Sequence, residues 1–372
     1  MKARIERLNI RNFRGFSTLD IERLGRVNLI TGKNNTGKSS LLEALRLLVS
    51  GASLTVLLDI LEFREEWFED AASITDVESP FSLSGLFHAF PSFSKTIQPV
   101  EIVSEGRLSL RLVLKSAFFT EEIDSEKGTR RFVLTDFEQP DQGVVLPGVV
   151  IETASSRRNV LLENLAKRLY SPTYRRMFSS EPFIMPCEHV SSYGGESTAA
   201  LAALWDGIAL SDREKEVVEA LRIIDQAISA ISMVGGEKTG RKRTAIIRKE
   251  GVPYPLPLRS FGDGLNRLFG IALALVNAKD GLLLIDEFEN GMHHTVQRDV
   301  WRVIFRIAEK LDIQVVATSH SWDTVEAFQE VANEHSENAL LIRLSQRNGE
   351  IVPTFFEKDE LRTATRERVE VR

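Results

Sequence analysis

A single cysteine, Cys187, in a chain of 372 residues excludes an intramolecular disulfide framework and any zinc site built from several thiolates. That scarcity suits a reducing cytoplasm. Long apolar runs are also missing: stretches such as LFGIALALV at 268–276 fall far short of the ~18 residues that suggest a membrane span. The opening MKARIERLNIRNF mixes charges with Ile5, Leu8 and Ile10 and lacks the continuous apolar segment of a secretion signal. A soluble, cytoplasmic protein with no membrane partner is therefore expected. Excess positive charge is absent as well, the net charge being -6 with a pI near 5.7. Any contact with nucleic acid must then come from a local patch. No internal repeat, low-complexity tract or heptad run stands out. With 43% hydrophobic and 27% charged residues, the chain can bury one large core or two modest ones.

What is present reads as an α/β protein. RIERLNI, a strand around Leu19 to Ile21, and the buried strand VNLIT lead into a loop, after which Leu41, Leu42, Leu45 and Leu48 fall at helical spacing up to Gly51. LTVLLDILEF predicts a helix, and VEIV, LSLRLVL, RRFVLTDF and GVVIET suit an antiparallel meander between about 100 and 152. The stretch SSRRNVLLENLAKRLY then predicts a helix. A further helical region spans 195–230, with Ser211 as N-cap and Glu214 in the capping-box position. AISMV and TAIIRKEG form a hairpin around a basic loop. GLLLID, VQRDVWRVIFRIAEKL and IQVVATS complete a β-α-β series typical of a parallel sheet.

The chemistry concentrates at strand ends. ITGKNNTGKSS satisfies G-x-x-x-x-G-K-[ST] in the strand-loop-helix setting that a phosphate cradle requires. Backbone N–H groups from Gly32, Asn34, Asn35, Thr36, Gly37 and Ser40 would surround phosphate oxygens of ATP. Lys38 would reach the β- and γ-phosphates, and the Ser39 hydroxyl would ligate Mg²⁺. LLLIDE supplies the carboxylate that such a metal needs: Asp286 would hold Mg²⁺ directly or through water, and Glu287 could polarise the attacking water. TSHS at 318–321 places His320 on the same sheet edge, where it could sense the γ-phosphate or position water, because ligands of open α/β sheets lie outside the carboxyl ends of strands. Finally, RSFGDGLNRLFGIALAL offers a second anion nest from Ser260 with the Gly262 and Gly264 backbone. A second cradle makes sense if it is presented to a nucleotide held by another subunit.

The order of phosphate loop, Ser/Gly turn, LLLIDE, ENGMHH and TSHS resembles the ABC-type ATPase heads of the SMC and recombination-repair group. IRNFRGF, VNLITGKNNTGKSSLLEAL, LPLRSFGDGLNRL and GLLLIDEFENGMHH are closer still to the OLD-like family of stand-alone ATP-binding proteins, which includes members in phage-defence operons. The resemblance covers residues 1–50 and 250–330. It implies that Lys38 and Ser39 belong to Walker A, Asp286 and Glu287 to Walker B, that His320 is the switch histidine, and that Glu289-Asn290-Gly291 forms the D-loop. SFGDG departs from the transporter form LSGGQ, and Gln98 is the candidate Q-loop glutamine. OLD nucleases carry a C-terminal Toprim domain, and this chain is expected to lack one.

Together these readings predict a P-loop NTPase of ABC-ATPase head type, with an N-terminal antiparallel β lobe and an inserted α+β middle. Residues 1–51 and 251–372 would form the ATPase core and 52–250 the insertion. The expected activity is Mg-ATP hydrolysis by a homodimer that sandwiches two nucleotides and gates a separate effector, in phage defence or DNA maintenance. The alternatives are an ATPase acting directly on nucleic acid, as in DNA repair, and a slow ATP-dependent switch. The basic hairpin 238–249, with Lys238, Arg241, Lys242, Arg243, Arg248 and Lys249, is the candidate nucleic-acid contact, against the alternative of a solvated tip. Cys187-x-His189 and His293-His294 lack the spacing of a zinc cluster.

Overall fold

The computed structural model describes residues 3–66, 83–91, 97–123, 130–135, 145–162, 183–192, 198–236, 241–334, 339–357 and 360–363. The chain begins with β1 (Arg7–Phe13), β2 (Phe16–Ile21) and β3 (Val27–Thr31), followed by α1 (Lys38–Val49) and α2 (Leu54–Phe63). The strands β4 (Val100–Glu105), β5 (Leu110–Ile123), β6 (Arg130–Thr135), β7 (Val145–Thr153), β8 (Arg157–Leu161) and β9 (Cys187–Val190) come next. Then follow α3 (Thr198–Asp206), α4 (Arg213–Leu221), β10 (Ile228–Gly236), β11 (Arg241–Lys249), β12 (Leu256–Pro257) and α5 (Asp263–Asn277). The chain closes with β13 (Leu282–Ile285), α6 (His294–Lys310), β14 (Gln314–Thr318), α7 (Trp322–Glu334), β15 (Ala339–Arg347) and β16 (Glu350–Phe356).

The sheet that positions the site has the order β16-β15-β3-β14-β13-β9 among the described residues, parallel except for the antiparallel edge strand β16. Its inner strands β3, β14 and β13 are buried along their whole length because both faces are covered, and they are mostly apolar, with Asn28, Thr31, Gln314 and Thr318 as buried polar exceptions. Val27, Leu29, Leu283, Ile285, Val315 and Ala317 point into a core shared with α5, α6 and α7. Ile30, Leu282, Leu284, Val316 and Ile342 point the other way, into a second core built with α1, α2 and the antiparallel lobe. The helix α1 is enclosed in that second core, and Leu41, Leu42, Leu45 and Leu48 are buried there at the spacing seen in the sequence.

The antiparallel lobe is one sheet with the order β2-β1-β4-β5-β7-β8, and β6 pairs with β5. The meander of 100–152 therefore continues the β1–β2 hairpin, with Ile10 opposite Ile102. Two helical expectations give way here. Arg157–Leu161 is strand β8, paired with Gly148–Glu152, because cross-strand pairing overrides a weak local helical pattern; residues 163–170 of that expected helix lie outside the described residues. The region 195–230 contains the two short helices α3 and α4 followed by turns and the start of β10. Its capping box is also different: Asp212 is the N-cap of α4, the Ser211 hydroxyl donates to Ile208 O at 2.5 Å, and Glu214 accepts from Leu210 N at 3.2 Å. The hydroxyl is turned back on the preceding turn, so it does not cap α4.

The lobe is tied to the parallel sheet by polar contacts, of which the Gln314–Ile5 pair is buried and the Asp312 cluster partly exposed. Gln314 accepts from Ile5 N at 2.9 Å and donates to Ile5 O at 2.8 Å, and Asp312 pairs with Arg4, Arg26 and Arg107. Among the described residues no helix is long and apolar enough to cross a membrane.

Candidate nucleotide site

Three neighbouring strands deliver the predicted side chains to one edge. β3 runs into the Gly32–Ser39 loop, β14 lies next to it and ends at Thr318, and β13 follows and ends before Asp286. Lys38, Ser39, Asp286, Glu287 and His320 thus come together as read from the sequence, because parallel strands carry all their carboxyl ends to the same side.

The loop is shaped for close backbone approach. The Thr36 hydroxyl donates to Lys33 O at 2.8 Å, and the Lys38 ammonium bends back to Gly32 O at 2.7 Å and Lys33 O at 3.0 Å. Gly37 has φ 83° and ψ 15°, the left-handed region, and an added Cβ would stand 2.5 Å from the Phe16 ring. Asn34 and Asn35 are exposed, Thr36 and Ser40 are buried. Burial holds the Lys38 pKa below its ordinary value of 10.5, opposed by the carboxylates of Asp286, Glu287 and Glu289. A desolvated cation facing acidic groups is suited to receive phosphate oxygens.

Asp286 is buried, yet every oxygen of its carboxylate is engaged. The Ser39 hydroxyl donates to Oδ2 at 2.9 Å and the Thr318 hydroxyl to Oδ1 at 2.6 Å. A hydroxyl and a carboxylate oxygen side by side at the mouth of a phosphate loop are hard donors of the kind Mg²⁺ takes, so the residues present fit that ion. Glu287 follows with φ 48°, and Asn290 Nδ2 donates to its Oε2 at 2.6 Å and to Ser192 O at 2.9 Å. His320 is half exposed; its backbone N–H donates to Glu289 Oε1 at 2.9 Å and its Nδ1 lies 3.2 Å from the same oxygen.

The Ser260–Gly264 turn lies on the surface. Ser260 and Gly262 are exposed, Gly262 has φ 86° and ψ 175°, and a Cβ added there would meet nothing within 4 Å. A Cβ on Gly264 would stand 3.1 Å from Gly291 O, so the turn packs beside the Glu289–Gly291 segment. Asp263 occupies the first turn of α5, where an anion would otherwise meet the helix dipole. Behind the turn, the buried Arg267 donates to Asp286 O at 2.9 Å, to Glu287 O at 3.3 Å and to Ser191 O. Arg267 and Thr318 were not singled out by sequence reasoning, and Asn290 was named there only as part of the Glu289-Asn290-Gly291 segment, not as the partner of Glu287. Thr318 stood inside the TSHS motif, and its position at a strand end next to the histidine was the available signal.

The remaining candidates do not join this edge. Gln98 is exposed before β4, and its carbonyl accepts from Asn12. In the basic hairpin, Arg243 pairs with Asp206 and Lys249 with Asp225, while Lys238 lies outside the described residues, as do the side chains of Arg241 and Lys242. His293 caps α6 and accepts from Thr295 N. Cys187 and His189 share one face of β9, two residues apart; burial pushes the Cys187 thiol up to about 12 and holds His189 well below 6.5, with Arg46 and Arg267 adding to the latter. Both residues keep some exposed surface on this outer strand, but their functional atoms are desolvated. No group of three or more metal-ligating side chains occurs among the described residues.

Comparison with known proteins agrees with this geometry. The family described as "AAA domain, putative AbiEii toxin, Type IV TA system" matches residues 27–325. The chain is 26% identical over 377 residues to an ATP/GTP phosphatase of Helicobacter pylori, covering 96% of each protein. It is 49% identical over 49 residues to the DNA replication and repair protein RecF of Idiomarina loihiensis, 13% of this chain and 14% of that protein. In three dimensions it is similar to an Smc head solved bound to the C-winged helix domain of ScpA, with a TM-score of 0.50, 11% identity, and coverage of 96% of this chain and 99% of that one. That likeness shows the fold. With a phosphate loop, a buried metal-type carboxylate and a matching family over most of its length, the chain belongs to this AAA-domain family and is an α/β P-loop ATPase.

Proposed function

We propose that the chain hydrolyses Mg-ATP in a sandwich between two copies of itself and that the opening and closing of this dimer gates a separate effector. In this reading the backbone of Gly32–Ser40 and the Lys38 ammonium hold the β- and γ-phosphates, and Ser39 and Asp286 hold the metal. Magnesium, when bound, neutralises charge that builds up on the phosphate oxygens. Glu287 takes the proton of the attacking water, and His320, steadied by Glu289, faces the γ-phosphate. The Ser260–Gly264 turn of one copy meets the nucleotide of the other. Residues 1–51 and 251–372 carry this chemistry, and 52–250 offers the surface on which an effector docks.

The observation that carries the reading is the row of β3, β14 and β13 ends, with Ser39 and Thr318 both bonded to Asp286 and Glu287 beside them. Support for the sandwich comes from the Ser260 turn, whose Ser260 and Gly262 are exposed to a second copy. We assign the chain to the OLD-like branch, acting in the cytoplasm in phage defence or DNA maintenance. Direct action on nucleic acid is less favoured, because Arg243 and Lys249 are already paired within the chain.

The test is Glu287→Gln. ATP hydrolysis should fall at least ~10²-fold, the size of a general-base contribution, while light scattering detects an ATP-dependent dimer. Undiminished turnover, or the same monomer mass with and without ATP at high protein concentration, would refute it.

A further inference from the structure

Thr318 is the last residue of β14, the strand between the phosphate-loop strand and the Asp286 strand, and its side chain is fully buried. Its hydroxyl has one proton and two lone pairs, and both functions are used. It donates to Asp286 Oδ1 at 2.6 Å and accepts from Glu287 N at 2.8 Å. The Thr318 carbonyl in turn accepts from Phe288 N at 2.9 Å. One residue therefore grips three consecutive positions at the end of β13.

Two consequences follow from this grip. First, Oδ1 of Asp286 is committed to Thr318, so that only Oδ2 faces Ser39, 2.9 Å away. Secondly, Glu287 sits at φ 48°, a conformation uncommon for a residue with a side chain, and persists there because its own N–H and the next one are both bonded to Thr318. We propose that Thr318 is a positioning residue that turns the Asp286 carboxylate toward the metal and holds Glu287 in its left-handed conformation. This rests on the reading of the Ser39–Asp286 pair as the metal site given above. Residues that orient a ligating carboxylate are worth about 10–100-fold in metal affinity.

The comparison that tests it is Thr318→Val, which keeps the shape and removes both hydrogen bonds, against Thr318→Ser, which keeps them. Binding of Mn²⁺ would be followed by electron paramagnetic resonance in the presence of ADP, with ADP affinity measured separately in EDTA. Thr318→Val should weaken Mn²⁺ binding about 10–100-fold and leave metal-free ADP affinity unchanged; Thr318→Ser should stay within about threefold of the wild type. Thr318→Ala serves if the valine variant fails to fold, with the same direction expected. A folded Thr318→Val or Thr318→Ala that binds Mn²⁺ as the wild type does, or a Thr318→Ser as weak as Thr318→Val, overturns the proposal. A wild type that binds ADP but no Mn²⁺ overturns the metal site itself, and a wild type that binds neither overturns the nucleotide reading; either removes the ground for the Thr318 role.

Discussion

Replacing Gly37 with alanine tests whether the phosphate loop is held by a steric lock that the motif alone does not reveal. At φ 83° and ψ 15° an alanine pays the left-handed penalty of about 1–2 kcal/mol. Its Cβ would also stand 2.5 Å from Phe16 Cζ and 2.6 Å from Cε1, and Phe16 is 0% exposed, so the ring has no solvent to swing into. Forcing a methyl group into such a contact costs about 1–3 kcal/mol. The sum is about 2–5 kcal/mol, a large part of the ~5–15 kcal/mol that holds a typical domain together. Urea unfolding of Gly37→Ala, Phe16→Leu and the double variant would separate the two contributions in a double-mutant cycle. The clash should appear as a favourable coupling of about 1–3 kcal/mol between the two sites, with the backbone penalty remaining in the double variant. Gly262→Ala is the contrast: its φ of 86° is just as unsuited to a side chain, but nothing lies within 4 Å, so no coupling to Phe16 is expected. A Gly37→Ala protein within about 0.5 kcal/mol of the wild type, the range of an ordinary surface substitution, would refute the reasoning.

Lys38→Ala should lower ATP affinity by about 10–100-fold, the equivalent of one or two charge-assisted hydrogen bonds, measured by equilibrium nucleotide binding. Its melting temperature should not fall, because burial already disfavours the ammonium and holds its pKa below 10.5. His189 predicts an acid-sensitive component of stability. Its folded pKa lies well below 6.5, so the unfolded chain takes up the proton first. The contribution is complete above pH 6.5 and is lost as the pH falls toward the folded value, at up to about 1.4 kcal/mol per pH unit. Urea unfolding between pH 7.5 and 5.5 should show a shallower pH slope in His189→Gln than in the wild type; identical slopes would contradict the assignment.

Much of the site was legible because its chemistry is local. The loop 32–39, the Asp286-Glu287 pair after an apolar strand, and His320 after VVATS each announce themselves within a few residues, and the alternation of strands and helices implies a common sheet edge. The periodicity of α1 and the largely apolar strands β3, β13 and β14 are likewise properties of short segments, since a strand buried on both faces is mostly apolar. Other features depend on partners far along the chain. CEHV is short and polar, and it joins the sheet as its outer strand only through pairing with Leu282–Ile285. RRNVL has the local look of a helix, yet it lies as a strand because β7 presents an open edge to it. Nothing near Gly37 in sequence indicates that Phe16 closes over it. Nothing near Thr318 says that its hydroxyl meets a carboxylate 32 positions earlier. Residue types and periodicity were enough to name the phosphate loop and the acidic pair, because those are written in consecutive residues; which hydrogen bonds orient them, and which strands flank them, was decided by long-range packing.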